Sequence, residues 1–261
     1  AGLSLAGAAM QAITRNPLAD PYLLGLSSGA ALGAVTLVVL GATLLVPAGA
    51  FAGSLAALAL ALFIAHVLGG ATPARAILAG IAISALASAA TSFVIFWSAT
   101  GDSYREILSW LMGSLSGTGW LDAGLVALGL ALCAPIMLVF SRGLDAFAFG
   151  ETAAASLGVD VVRLRWLLLS ASALLTGVMV AIGGAIGFVG LVVPHAVRLA
   201  VGSRYRRLLP LSMLVGAIFM LWADTLARTL FDPRELPVGI VTALIGAPAF
   251  LLVLMRYRRV T

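Results

Sequence analysis

Few side chains in this 261-residue sequence could carry covalent chemistry. Gly25-Leu26-Ser27-Ser28-Gly29 has the letters of G-x-S-x-G, and His195 is the residue type that would serve Ser27 or Ser28 as a base. A nucleophile elbow, however, needs a sharp turn from a strand into a helix, and these letters lie in an apolar run. His195 follows Pro194 and precedes Arg198 at the end of an uncharged stretch, where it reads as a satisfied or interfacial histidine; His66 reads the same way. Neither has carboxylates in a ligating pattern beside it, so no metal site is expected. Cys133 is the only cysteine, which excludes a disulfide framework and a ligating pair, and it reads as a small packed side chain. All 15 basic residues are arginine. A P-loop needs its lysine on the phosphates, so any nucleotide that drives this protein must bind another subunit.

The elements that would position these residues follow from composition. Hydrophobic residues make up 62% of the chain and charged residues 10%, against roughly 25% charged in soluble domains. That excludes an ordinary soluble enzyme. The net charge of +5 comes from arginines scattered between apolar runs, which is not a nucleic-acid-binding pattern. A spanning helix needs about 20 apolar residues, and breaks at Arg, Pro and Gly clusters place full spans at 22–46, 48–68, 76–97, 120–140, 163–182, 185–202, 208–227 and 237–255. Ala1 to Ala12 reads as the later part of a further span whose beginning precedes residue 1. Residues 166–197 carry no formal charge. One helix of that length would rise about 48 Å against a core of about 30 Å, so Gly183-Gly184 is expected to divide it. The expected fold is all-α and polytopic, a single transmembrane domain over 1–261.

Alternating the loops puts Arg15, Arg75, Arg142, Arg163, Arg165, Arg198, Arg204, Arg206, Arg207, Arg256, Arg258 and Arg259 on one side and Arg105, Arg228 and Arg234 on the other. The positive-inside rule makes the first side cytoplasmic. Outside, residues 103–112 have helical apolar spacing and suit a short interfacial helix. Inside, 141–162 contains a small-residue helix ended by Gly158, which is either a docking element or a connector. Gly25, Gly29 and Gly33 are spaced as a GxxxG ladder, and Gly187 and Gly190 do something similar, so both are expected to bring helices close together. Asp224 and Arg228 share a helix face. They either pair with each other or leave Arg228 free to meet an acidic partner. No series of Asp, Glu or His crosses the midplane, which argues against the alternative of a stand-alone secondary transporter of a bulky apolar solute.

Several segments together resemble a known family. They are Arg15-Asn16-Pro17-Leu18-Ala19, Leu24-Gly25, Ser28-Gly29-Ala30, Leu78-Ala79-Gly80, Trp110-Leu111-Met112-Gly113-Ser114-Leu115, Ala155-Ser156-Leu157-Gly158-Val159, Gly187 to His195, Leu209-Pro210-Leu211-Ser212, Ala223-Asp224, Ala227-Arg228, Glu235 to Gly239 and Ala243 to Pro248. Spread along nearly the whole chain, they resemble FecCD-type permeases, the membrane subunits of type II ATP-binding-cassette importers for iron-siderophores, haem and cobalamin. The resemblance implies a ten-span fold, a pathway along the axis of a homodimer, and alternating access. It implies two ATPase subunits, which would bind ATP and Mg, a periplasmic substrate-binding protein as a further partner, and no cofactor on this chain. By the same resemblance, Asn16, Pro17 and Leu18 form a cytoplasmic gate. Glu151, Ala154, Ala155, Ser156, Leu157 and Gly158 dock on the ATPase, and Arg228, with Arg234, receives the binding protein. Related permeases can carry hydroxyls at a second gate where this chain has Thr72-Pro73-Ala74. The 110–120 region and Ala223 to Leu230 resemble haem-importer permeases most.

Overall fold

A computed structural model describes residues 1–68, 72–98, 100–147, 149–156, 158–231 and 233–257, and all regular structure among them is helical. The helices are α1 (Gly2–Ile13), α2 (Leu26–Val39), α3 (Val46–Val67), α4 (Pro73–Ser98), α5 (Gly101–Met112), α6 (Trp120–Val139), α7 (Ser141–Phe147), α8 (Glu151–Ser156), α9 (Val161–Gly183), α10 (Val189–Val201), α11 (Tyr205–Thr229) and α12 (Val238–Tyr257), with 3₁₀ turns at Pro21–Leu24 and Thr43–Leu45. Among the described residues, α3, α4, α6, α9 and α11 are long and apolar enough to cross a bilayer. The apolar α1, α2, α10 and α12 are shorter.

Two expected spans are shorter as helices than as apolar runs. The 22–46 run contains a helix of only 14 residues, about 21 Å long. Gly25, at φ 85°, turns the chain out of the Pro21–Leu24 3₁₀ turn into α2. At the other end Gly41, at φ 72°, closes α2 through bonds from Gly41 N–H to Val38 O and from Ala42 N–H to Leu37 O, a Schellman stop. The 185–202 run likewise begins its helix late. Gly184 leaves α9 at φ 70° and the chain reaches Phe188 at φ 67° before α10 starts. The Phe188 side chain then lies against α12 at Gly246. Residue 22 is also tied here, since the Tyr22 hydroxyl donates to Ile186 O at 3.0 Å.

The core is organised around α1, which is buried on all sides and packs against α9, α10 and α11. Glycine makes one of these contacts possible. A Cβ on Gly7 would overlap the Gly190 carbonyl, so α1 and α10 touch backbone to backbone. The most apolar stretch of α9 is 61% buried and that of α6 only 22%. Helix α9 is therefore interior, whereas α6 presents Leu121, Leu125, Leu128, Leu132 and Val139 outward. With Phe96, Trp97 and Trp120 exposed at helix ends, that surface suits lipid and its interface.

Candidate gate, coupling and docking sites

The turn after α1, expected on the cytoplasmic side, is built locally. Arg15 N–H bonds Ala12 O at 3.1 Å and Asn16 N–H bonds Gln11 O at 3.2 Å. This is again a Schellman stop, but with Arg15, at φ 50°, in the position glycine usually fills. A left-handed residue with a side chain costs about 1–2 kcal/mol. The Asn16 side chain accepts from Leu18 N–H at 2.9 Å, which holds Pro17 at the apex of an Asx turn. Asp20 accepts from Tyr22 N–H at 2.8 Å and caps the following 3₁₀ turn. Burial raises the Asp20 carboxyl above its ordinary value, and that backbone bond partly offsets the rise. Asn16 and Leu18 are exposed and Pro17 is half-buried.

The linker that precedes the expected coupling helix lies against this turn. Gly150, at φ 96°, joins α7 to α8, and the Arg15 guanidinium sits beside it, 3.4 Å from where a Cβ would project. Helix α8 ends in a third Schellman stop, from Val159 N–H to Ala154 O and from Gly158 N–H to Ala155 O, with Gly158 at φ 82°. Gly158 therefore caps this helix as its spacing predicts. Ala154 faces inward, fully buried, while Ala155, Ser156 and Gly158 are exposed. Glu151 begins α8, and Leu157 lies outside the described residues. Helix α7 is anchored through Asp145, whose carboxylate accepts the Tyr205 N–H at 2.8 Å and so caps the first turn of α11.

From Tyr205 a polar cluster runs back to the gate turn. Arg198 Nη2 donates to the Tyr205 hydroxyl oxygen at 3.2 Å and to Gln11 Oε1 at 3.3 Å. Gln11 Nε2 donates to Leu191 O at 3.1 Å. The structure thus brings together the turn after α1, α7 and α8, the C-terminal end of α10 and the N-terminal end of α11. Sequence reasoning missed this cluster. Its one visible signal is Gln11, the only glutamine in the chain, set in an otherwise apolar helix.

At the opposite end α5 lies across the bundle, opened by a capping box between Thr100 and Ser103. Its C-terminus meets α9 and α12 at a glycine joint. A Cβ on Gly184 would overlap Trp110 O, and one on Gly239 would overlap Met112 O. Ser114 N–H bonds Gly183 O at 2.9 Å and Gly239 N–H bonds Gly113 O at 3.2 Å. Asp224 and Arg228 form an ion pair at 2.8 Å, and Arg228 Nη2 also donates to Leu115 O at 3.1 Å. Arg228 keeps 40% of its side chain exposed, and Arg234 is exposed nearby in sequence. Ser116 donates to Glu235, closing the rim of a pocket of about 260 Å³ beside Glu106, Ser109 and Trp110.

The remaining glycines are placed unevenly. Gly29 and Gly33 press on Gly53 and Gly49 of α3, joining α2 to α3. Gly25 lies before α2, 3.4 Å from Gly80 O by its Cβ direction, and Gly190 meets α1. A Cβ at Gly187 would meet nothing within 4 Å. The G-x-S-x-G letters fall on the junction from the 3₁₀ turn into α2, so no elbow from a strand forms there. His195 is 3% exposed inside α10.

Comparison with known proteins agrees with the fold. Residues 1–256 match the FecCD transport family. A cobalamin import system permease of Halobacterium salinarum is 44% identical over 262 residues, covering 100% of this chain and 70% of that protein. A hemin transport system permease of Yersinia pestis is 44% identical over 265 residues, covering 98% and 78%. A metal-chelate-type ABC transporter solved in an inward-facing conformation superposes with a TM-score of 0.91 at 37% identity, covering 98% of this chain and 82% of that one. A multi-pass helical membrane chain with these relatives belongs to the FecCD transport family.

Proposed function

We propose that this chain is the permease subunit of an ATP-driven importer, which takes haem, or another iron chelate or cobalamin, from a periplasmic binding protein and releases it into the cytoplasm. The observation that carries the reading is the 37%-identical match, over 98% of the chain, to a metal-chelate-type ABC transporter. The relatives that import cobalamin and hemin bracket the substrate as a bulky ligand, and haem is favoured by the resemblance of Ala223 to Leu230. In this reading two copies pair in the bacterial inner membrane and two ATPase subunits bind ATP and Mg. This chain, which has no lysine for a P-loop, makes and breaks no covalent bond.

Each part of the site takes a role. Exposed Ala155, Ser156 and Gly158, with Glu151 and Leu157, meet the ATPase, while buried Ala154 fixes α8 on the bundle. Closure of the ATPases moves α7 and α8, and Arg15 and Asp145 pass that displacement to the Asn16-Pro17-Leu18 gate and to α11. Outside, Arg228 and Arg234 attract acidic residues of the binding protein. Such contacts steer docking and weaken with salt. Glycine contacts between α2 and α3 and between α1 and α10 let packed helices shift as units.

The test is uptake by proteoliposomes holding this chain with its co-purified ATPase and binding protein. Haem accumulation that requires ATP inside the transport cycle, and stops when the ATPase is omitted, is the expected result. Accumulation without the ATPase would instead establish a secondary carrier and overturn the reading.

A further inference from the structure

Among the described residues the polar cluster around Tyr205 leaves Arg198 without a counter-charge. Arg198 is half-buried, and its two side-chain hydrogen bonds go to neutral acceptors, Gln11 and Tyr205. Its Nε is buried with no partner at all. Buried guanidinium groups are ordinarily paired with an anion, because desolvating an unpaired charge is expensive. Arg198 faces a cavity of about 270 Å³ lined also by Gln11, Arg15, Pro17, Ser203 and Tyr205. Arg15 brings a second guanidinium, and among the described residues neither arginine forms an ion pair. Acidic side chains are absent from the lining. Asp145, which reaches the same helix start, spends its carboxylate on the Tyr205 N–H.

We infer that the cavity between Arg15 and Arg198 is an oxyanion site that takes a phosphate-type group. Two guanidiniums lining one cavity, with a tyrosine hydroxyl and a serine, supply donors around a space roomy enough for a tetrahedral anion. The planar forks suit oxygen pairs of phosphate. The bound anion neutralises Arg198 and ties the turn after α1 to the ends of α10 and α11. This site is independent of the importer reading, because it rests on charge and cavity alone.

The test uses the purified full chain in detergent, titrated with inorganic phosphate against sodium chloride at equal ionic strength. Phosphate is expected to raise the thermal midpoint saturably. Arg15→Gln and Arg198→Gln are each expected to weaken phosphate binding by about tenfold or more, whereas exposed Arg207→Gln leaves it unchanged. Arg15→Gln keeps the test decisive if Arg198→Gln fails to fold, since Arg15 lies in an exposed turn. A second arm replaces phosphate with short-chain phosphatidylglycerol. A response to phosphate identifies a free anion as occupant, and one to the lipid alone identifies a headgroup; both support the site if Arg15 is required. No response in either arm, or a response that survives Arg15→Gln, overturns it. Phosphate binding is read on the chain alone and uptake on the full complex of the unsubstituted protein, so the two readings fail separately.

Discussion

At the end of the bundle that the arginine count assigns to the outside, Gly113, Gly184 and Gly239 let α5, α9 and α12 meet backbone to backbone. At the end it assigns to the cytoplasm, Asp145, Arg198 and Gln11 reach out with side chains to tie α7, α10, α11 and α1 around a cavity. The physical difference is tolerance of movement. A backbone contact made through glycine is lost once the segments separate by the width of a methyl group. Long polar side chains can change rotamer and keep their bonds while the helices they join shift. The outer joint is thus built to hold and the inner cluster to travel, as the proposed drive by ATPases on the cytoplasmic side requires.

The largest effect should come from filling the outer joint. Gly239→Val places carbons where the Met112 carbonyl stands and should cost about 3 kcal/mol or more, read as a lower unfolding midpoint in detergent. Gly124 of α6 meets nothing within 4 Å, so Gly124→Ala should instead stabilise by up to about 1 kcal/mol through helix propensity. If both substitutions cost the same, the joint is not special.

At the inner end, Asp145→Ala removes the cap of α11 and should cost about 1 kcal/mol, with Asp145→Asn restoring most of it. Its larger consequence is functional. ATP hydrolysis should continue while uptake falls, because α7 then moves without α11. Proportional loss of hydrolysis and uptake would refute the inner tie as a transmitting element.

The outer ion pair should matter less. With 40% and 24% of the two side chains exposed, a double-mutant cycle on Asp224→Asn and Arg228→Gln should return under about 1 kcal/mol of coupling. A much larger value would make Arg228 a structural rivet and count against its role in docking.

The smallest effect concerns pH. Burial raises the Asp20 carboxyl, so the folded protein holds that proton more tightly than the unfolded chain does. Stability from this group is present at low pH and is lost as pH rises from about 4 through the raised value. Asp20→Asn should therefore flatten the wild-type decline in midpoint over that window. Parallel profiles for the two proteins would show that Asp20 does not titrate as described.

Much of the architecture was legible because apolar runs and their breaks are written directly in residue type. The 48–68, 76–97 and 120–140 spans became Val46–Val67, Pro73–Ser98 and Trp120–Val139. The break at Gly183-Gly184 was equally visible, since a single helix would have been too long for the bilayer. What hydropathy could not supply was backbone conformation. Gly25 has the spacing of a ladder with Gly29 and Gly33, yet it serves as the turn before α2, and Phe188 at positive φ shortens α10 from within an uncharged run. Nor could spacing pair distant residues. Gly7 against Gly190, and Gln11 with Arg198, lie far apart in sequence, and only the packed bundle brings them together. The roles proposed for Asn16 to Leu18 and for the 151–158 segment come from resemblance, since their chemistry alone does not disclose them.

An ATPase can drive α7 and α8 only if they stand on the cytoplasmic face. Replacing the single buried cysteine by Cys133→Ala and introducing Ala155→Cys or Arg234→Cys allows labelling with a membrane-impermeant maleimide in vesicles of known orientation. Ala155→Cys should react only in inside-out vesicles and Arg234→Cys only in right-side-out ones. Labelling of Ala155→Cys from the outside would put α8 beyond the reach of a cytoplasmic ATPase and overturn the importer reading.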